Sequence, residues 1–570
     1  MLKYTRLLFY VIGCSVLLWS CEKDLELEPE DTRNTANEAF ATVDGYTQAL
    51  GKIYAGISLS GQRGKSGLPD LEGLNEGFSN YLRLYWKMQE LTTDEAVIGW
   101  DDGTIKDLNA HTWTSGNEFI RTMYDRLLYQ VSLCNEFLRQ ASNDKLDERG
   151  INGSDRALVT DYINEARFMR ALSYWHLMDL YANPPFVTEN DPIGAFLPEQ
   201  TNRAALFIYI EDELKAIEGS ITPARQGEYG RADQGAVWML LSKLYLNAQV
   251  YLGSDINLFN DCIEYCNKII NAGYSIPNVP YNYAFIADND SNGAQNETIF
   301  SIPFDGLRTQ SFGGTTFLVH APVGGSMNPR ADFGINGGWF GLRTTNTFIE
   351  KFGAPLDEED GGRIEIFQRD DNGEIQLDDD GNPTSLGFQE IWEDKRLLVY
   401  TAGQSLEIND ISVFNDGYAI QKYTNIDSNG NVGSDPEDHP DTDFPMFRLA
   451  DTYLMYAEAT VRGATNGDLN LALGYINQLR LRAFGNSSAN LSSTSEINED
   501  FILDERAREL YWEGHRRTDL IRFNRFTENY VWPFKGNVSN GTASQSFRNI
   551  MPLPSTDLGV NTNLKQNPNY

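Results

Sequence analysis

Five segments of this chain repeat apolar residues at helical spacing, each long enough to be a helix and too apolar on one side to stand alone. Residues 165–181 set Phe168, Ala171, Leu172, Trp175 and Met178 on one stripe, and Asn183-Pro184-Pro185 stops it. Residues 236–250 repeat the pattern with Val237, Leu240, Leu241, Leu244 and Ala248. A partner over 257–271 follows and ends before Gly273, suited to a left-handed cap. Residues 447–462 and 471–483 make another pair, with Ala472, Ile476 and Leu479 facing inward. A stripe of this kind must be buried against another element, so the pattern predicts a mainly α protein built of helical hairpins on a shared core.

Hairpins of this length resemble tetratricopeptide repeats, although the signature residues are too loose for a regular array. Residues 280–445 break the pattern. They are rich in Gly, Asn, Asp and aromatics, and runs such as Glu297-Thr298-Ile299-Phe300-Ser301-Ile302 suit short strands. Asp371-Asn372-Gly373 and Asp379-Asp380-Gly381-Asn382 read as turns. A long insertion adds little to a core, so the helices read as scaffold and the loops as the working surface.

The 570 residues carry 41% hydrophobic and 12% aromatic side chains, enough for a substantial core. Eighty-one acids against 46 bases give a net charge of −35, a field that repels polyanions and excludes nucleic acid as a partner. At the start, Lys3 and Arg6 precede the apolar run Leu7 to Trp19 and then Ser20-Cys21. This is a secretory signal over 1–20, too short to span a bilayer. A cysteine after a small residue resembles a bacterial lipobox, which makes Cys21 the expected lipid anchor. Val11-Ile12-Gly13-Cys14 is the less suitable alternative, because cutting there leaves too short an apolar run. The acidic run Glu22-Lys23-Asp24-Leu25-Glu26 resembles the surface-export signal of Bacteroidetes lipoproteins. Cys134, Cys262 and Cys266 fall in helical patterns without accompanying ligands and read as free core thiols.

Four stretches together resemble the SusD/RagB family of outer-membrane nutrient-binding lipoproteins: Glu165-Ala166-Arg167-Phe168-Met169-Arg170-Ala171-Leu172, Phe447-Arg448-Leu449-Ala450-Asp451-Thr452-Tyr453-Leu454, Glu513-Gly514-His515-Arg516-Arg517-Thr518-Asp519-Leu520, and the tail Leu564-Lys565-Gln566-Asn567-Pro568-Asn569-Tyr570. The resemblance implies a fold with tetratricopeptide-like hairpins, divided here as 21–275 and a C-terminal region 276–570 that holds the glycan-binding loops. It also implies glycan capture at the cell surface, a lipid-anchored outer-membrane location and a SusC-like TonB-dependent transporter as partner. Gly61-Gln62-Arg63-Gly64, Pro69-Asp70-Leu71-Glu72-Gly73, Ala287-Asp288-Asn289-Asp290 and Phe312-Gly313-Gly314-Thr315-Thr316 are similar to loops of the family's starch-binding member. In that member an arc of aromatic rings cups the turn of an α-glucan. By position, Trp339 and Phe312 match arc rings, and the third falls on Ile98, so Trp100 is the expected replacement. Arg83 matches a sugar-contacting arginine, and Asn75 and Asp101 lie where further polar contacts are implied. A structural calcium is implied near Asp290, Asp441 and Asp443.

The residue types suit a sugar independently of the resemblance. A pyranose has apolar C–H faces that pack on rings and hydroxyls that need paired donors and acceptors. Trp100-Asp101-Asp102 and Gly337-Gly338-Trp339 supply rings in loop settings. Asp504 to His515 reads as a charged helix on which Glu505–Arg508 and Glu513–Arg517 have the spacing of ion pairs, structural and not catalytic. No nucleophile elbow, zinc-protease helix or nucleotide loop occurs. The leading expectation is a non-enzymatic binder of starch or malto-oligosaccharides. A β-glucan binder, an anchored glycoside hydrolase and a protein scaffold are the alternatives. A hydrolase needs two carboxylates flanking the arc, and a scaffold would bury Trp339 and Trp100.

Overall fold

The structure is a computed structural model that describes residues 35–62, 69–71, 76–370, 374–435 and 437–570. Twelve helices build most of the scaffold among the described residues: α1 Val43–Ser58, α2 Tyr81–Gln89, α3 Glu118–Gln140, α4 Gly153–Tyr181, α5 Arg203–Ile217, α6 Gln234–Leu246, α7 Phe259–Asn271, α8 Gly314–His320, α9 Leu449–Val461, α10 Leu469–Phe484, α11 Glu499–Leu510 and α12 Arg516–Arg522. They pack on one another mostly as chain neighbours, α3 on α4, α4 on α5, α6 on α7, α7 on α9 and α9 on α10. The fold is mainly α, as the stripes require.

Several boundaries move for identifiable reasons. Helix α4 begins well before residue 165, because Ser154 to Asn164 is polar enough to hide its helical period and buries only Val159, Tyr162 and Asn164. The 236–250 stripe breaks at Asn247, whose side chain donates to Lys243 O and accepts from Arg522, drawing the backbone out of its ladder. Residues 447–448 belong to a strand, because pairing with residues 298–302 claims them before α9 starts.

All the strands among the described residues except the first begin within the insertion. β1 Val97–Ile98 pairs with β3 Leu342–Arg343, β2 Thr298–Ile302 with β8 Phe444–Arg448, β4 Arg363–Phe367 with β5 Ser385–Glu390, and β6 Val399–Tyr400 with β7 Ala419–Ile420, all antiparallel. One apolar cluster runs from Tyr46 to Leu564, and the α7–α9 contact crosses residues 275/276. Cys134, Cys262 and Cys266 are free and buried in it.

Buried charge knits the helices together, and it falls on the first three of the four stretches quoted above. Glu165 binds Tyr54 and Arg231, and Arg170 binds Asn135, Glu189 and Glu213. Arg448 is ringed by Glu297, Glu509 and Glu513 at 2.6–2.8 Å. The segment 504–515 is not one helix. It leaves α11 at Leu510 and turns through Trp512 (φ 62°) and Gly514 (φ 83°) before α12. Glu505 and Arg508 do pair, at 2.7 Å. Glu513 and Arg517, separated by the turn, bind Arg448 and Asp179 instead. The tail is held as firmly: Asn567 donates to Tyr181 O and Met551 O, and Trp113 Nε1 donates to the Tyr570 hydroxyl at 2.7 Å.

Candidate functional site

Helix α2 is buried on every side, which suits a segment as apolar as Tyr81-Leu82, Leu84-Tyr85-Trp86 and Met88. Its N-cap, Asn80, accepts from Arg83 N at 3.0 Å and from Gly314 N at 2.9 Å, docking the start of α8 against α2. The chain entering α8 carries Phe312. The chain leaving α8 folds back, so that Trp339 N donates to His320 O and Phe340 N to Val323 O. Gly338 allows this return, since a Cβ there would lie 2.1 Å from Val323 O.

Pairing of β1 with β3 then brings Trp100 to Trp339. Just beyond the paired residues, Gly99 N donates to Gly341 O and the Trp100 indole donates to Trp339 O at 2.9 Å. A Cβ on Gly341 would lie 2.5 Å from the Trp100 ring, so the indole can rest there only on glycine. The ring centroids of Trp100 and Trp339 are 6.3 Å apart at 46°, and those of Trp339 and Phe312 are 6.2 Å apart at 65°. Three partly exposed rings thus form one run with Trp339 in the middle. Ile98 is fully buried.

Arg83 reaches this run from behind. It is 3% exposed, its guanidinium lies 5.7 Å from the centroids of both tryptophans and 4.5 Å from those of Phe78 and Phe317, and Nη1 donates to Phe312 O at 2.9 Å. In this arrangement it positions rings and does not project toward solvent. Lys87, one turn along α2, lies 4.2 Å from the Phe119 ring and 4.9 Å from Phe78. Burial, then the Arg83 charge, pushes its ammonium well below the usual lysine range. His320 stacks behind Trp339 at 4.9 Å and 23°, its nitrogens 2.7 and 2.8 Å from Gly337 O and Asp438 O. Burial lowers its pKa. His320, Phe317, Phe78 and Lys87 were not singled out by the sequence, which has no local pattern marking a residue that supports another from behind.

Asp101 is 83% exposed and pairs with Lys106 at the edge of the run. Asn75 and Cys21 lie outside the described residues. The proposed calcium ligands fall elsewhere in the insertion. Asp290 is exposed and accepts from Ser291 Oγ, Asp441 accepts from Gly306 N and Ser434, and Asp443 accepts from Phe304 N at 2.7 Å. Burial, then the charges of Asp290 and Asp441, pushes Asp443 up to about 7. Among the described residues no group of three or more His, Cys, Asp or Glu is arranged to hold a metal.

A partly exposed aromatic run on a rigid helical scaffold offers stacking faces for an apolar ligand surface, with polar groups at its rim. A pure scaffold with buried Trp339 and Trp100 does not match this arrangement. The chain belongs to the SusD family. The family model described as "SusD family" matches residues 296–570. The chain is 34% identical to the starch-binding protein SusD of Bacteroides thetaiotaomicron over 100% of its own length and 99% of that protein. It is 26% identical to the SusD-like protein P25 of Formosa agariphila over 64% of each. Among solved structures, a SusD superfamily protein of Parabacteroides distasonis superposes with TM-score 0.66 at 18% identity, covering 94% of this chain and 100% of that one. Surface glycan-binding protein A of Bacteroides thetaiotaomicron, solved with laminarihexaose, gives 0.64 at 18% identity over 92% and 99%. These structural likenesses concern the fold.

Proposed function

We propose that this chain is a non-enzymatic glycan-binding protein of the cell surface that captures starch or malto-oligosaccharides on the Trp100–Trp339–Phe312 run. The supporting observation is the run itself: rings from three distant segments meet at the surface, each partly exposed, on a backbone whose glycines leave room for them. Full-length likeness to a starch-binding protein supports the α-glucan as ligand. In the same reading Cys21 carries the lipid that holds the protein on the outer membrane, and a SusC-like transporter receives the glycan. No helix among the described residues is long and apolar enough to cross a membrane, which leaves the anchor to the N-terminus in this proposal.

Affinity electrophoresis against soluble amylose, pullulan, laminarin and a cellulose derivative tests the ligand. Retardation by the α-glucans is expected, and retardation by laminarin alone replaces the starch reading with the β-glucan one. Amylose incubated with the purified protein should release no reducing ends. Turnover that survives repurification and disappears with one carboxylate substitution overturns the non-enzymatic reading. Structural calcium near Asp290, Asp441 and Asp443 stays a proposal. It calls for a melting temperature that falls on chelation and recovers with Ca²⁺.

A further inference from the structure

Residues 320–340 carry Trp339, and their stretch Gly325 to Asp332 also lines a separate cleft of about 930 Å³. Neither tryptophan nor Phe312 contributes to it. Its other wall is β4 with Gln368 and Arg369, completed by Leu386 and Gln389 of β5, Tyr400 of β6 and Gln421 beyond β7. That volume lies in the upper part of the range of ligand-binding pockets, ~300–1,000 Å³.

The walls are fixed before any ligand arrives. Gln389 donates to Glu390 O and Val399 O and accepts from Thr401 N, and Ser326 donates to Ala402 O at 3.0 Å. Glu365 and Gln368, both exposed, and the partly buried Gln421 also line the cleft, and their side chains make no hydrogen bond to a described residue, which leaves them open to solvent or a ligand. Partly exposed Ile366, Phe367 and Leu386 supply apolar surface between them. The charged groups in the lining, Asp332 and Glu365 against Arg369, leave one net negative charge. Amide and carboxylate groups around an apolar strip, without a dominant charge, complement a neutral polyhydroxylated ligand with C–H faces. A strong anion would meet two carboxylates, and a purely apolar ligand would leave the amides unpaired.

We infer that this cleft is a second carbohydrate site that takes a short neutral gluco-oligosaccharide. It rests on the glycan-binding reading for the class of its ligand and not on the aromatic run. The test uses full-length Trp339→Ala protein, in which the run is disabled, followed by hydrogen–deuterium exchange with millimolar maltotriose or laminaritriose. Exchange over residues 325–332 and 363–369 should slow. Adding Gln368→Ala and Gln421→Ala should weaken that effect about tenfold, through lost hydrogen bonds. No slowing with either trisaccharide overturns the second site. Slowing that persists unchanged in the triple variant overturns its assignment to this cleft. The aromatic run is tested separately, by the affinity lost between unsubstituted and Trp339→Ala protein, so failure of either reading can be told from failure of the other.

Discussion

Trp339 is the residue on which the binding reading turns. Its backbone N–H donates to His320 O, and its ring is partly exposed and backed by the His320 ring, so removing it takes away a stacking face without opening the core. Trp339→Ala should weaken maltoheptaose binding roughly 30- to 1000-fold, the ~2–4 kcal/mol typical of an aromatic anchor, with little change in melting temperature. Calorimetric titration and a thermal melt check both parts. Unchanged affinity with a collapsed melt would move the ring into the core. Arg83 behaves differently from a simple sugar contact. Its guanidinium braces both tryptophans and holds Phe312 O, so Arg83→Ala should lower affinity and melting temperature together, where a purely ligand-facing arginine would lower affinity alone. The same two measurements separate these outcomes.

At the scale of elements, the charged turn between α11 and α12 is what joins distant helices. Arg516 binds Asp94 through two bonds of 2.8 and 2.9 Å, and Glu90 accepts from Gly514 N and His515 N. Replacing Arg448 by Ala would remove the one cation shared by buried Glu297, Glu509 and Glu513, leaving them only Arg482, Arg396 and Lys422. A loss of ~3–5 kcal/mol in chemical denaturation is expected, far above that of an exposed pair such as Arg308–Asp305. Glu90 also carries a pH dependence. Burial raises its carboxyl from 4.5 to about 7, opposed by hydrogen bonds from Glu95, His515 and Gly514, and Glu95 is raised by burial and by the Glu90 charge. A raised acid binds more protons folded than unfolded, so its stabilisation is present below about 4.5 and is lost as pH rises through about 7. The fall in melting temperature between pH 4.5 and 7 should therefore be smaller in Glu90→Gln than in the unsubstituted protein. An unchanged slope would assign the pH dependence to other groups.

For the whole molecule, a continuous core from Tyr46 to Leu564 makes the helices one platform that presents the loops. A body of net charge −35 has no electrostatic hold on an anionic surface, so the proposed lipid on Cys21 is its expected attachment. Cys21→Ala should lose labelled palmitate and shift the protein from the membrane fraction to the soluble one. Label retained in that variant would move the anchor to Cys14.

The helical scaffold was legible in the sequence because an apolar stripe is a local property: Phe168 to Met178 and Ala472 to Leu479 are within a few turns of one another, and burial is the only stable use of such a face. The free thiols were legible for the same reason. The 499–522 region was not, because positive-φ residues at Trp512 and Gly514 break a segment whose ion-pair spacing suggests continuity. The site itself was half legible. Loop tryptophans can be picked out one by one, but the meeting of Trp100 with Trp339 depends on β1 pairing with β3 across some 240 residues of chain. That pairing carried Trp100 to the run while Ile98 is buried, the docking of α2 on α8 set Arg83 beneath it, and no local pattern encodes any of the three. By itself the sequence determined that helices would form and which faces they would bury. Only the tertiary structure decided which loop residues share a surface, because side-chain identity sets what a residue can bind and long-range backbone pairing sets what stands beside it.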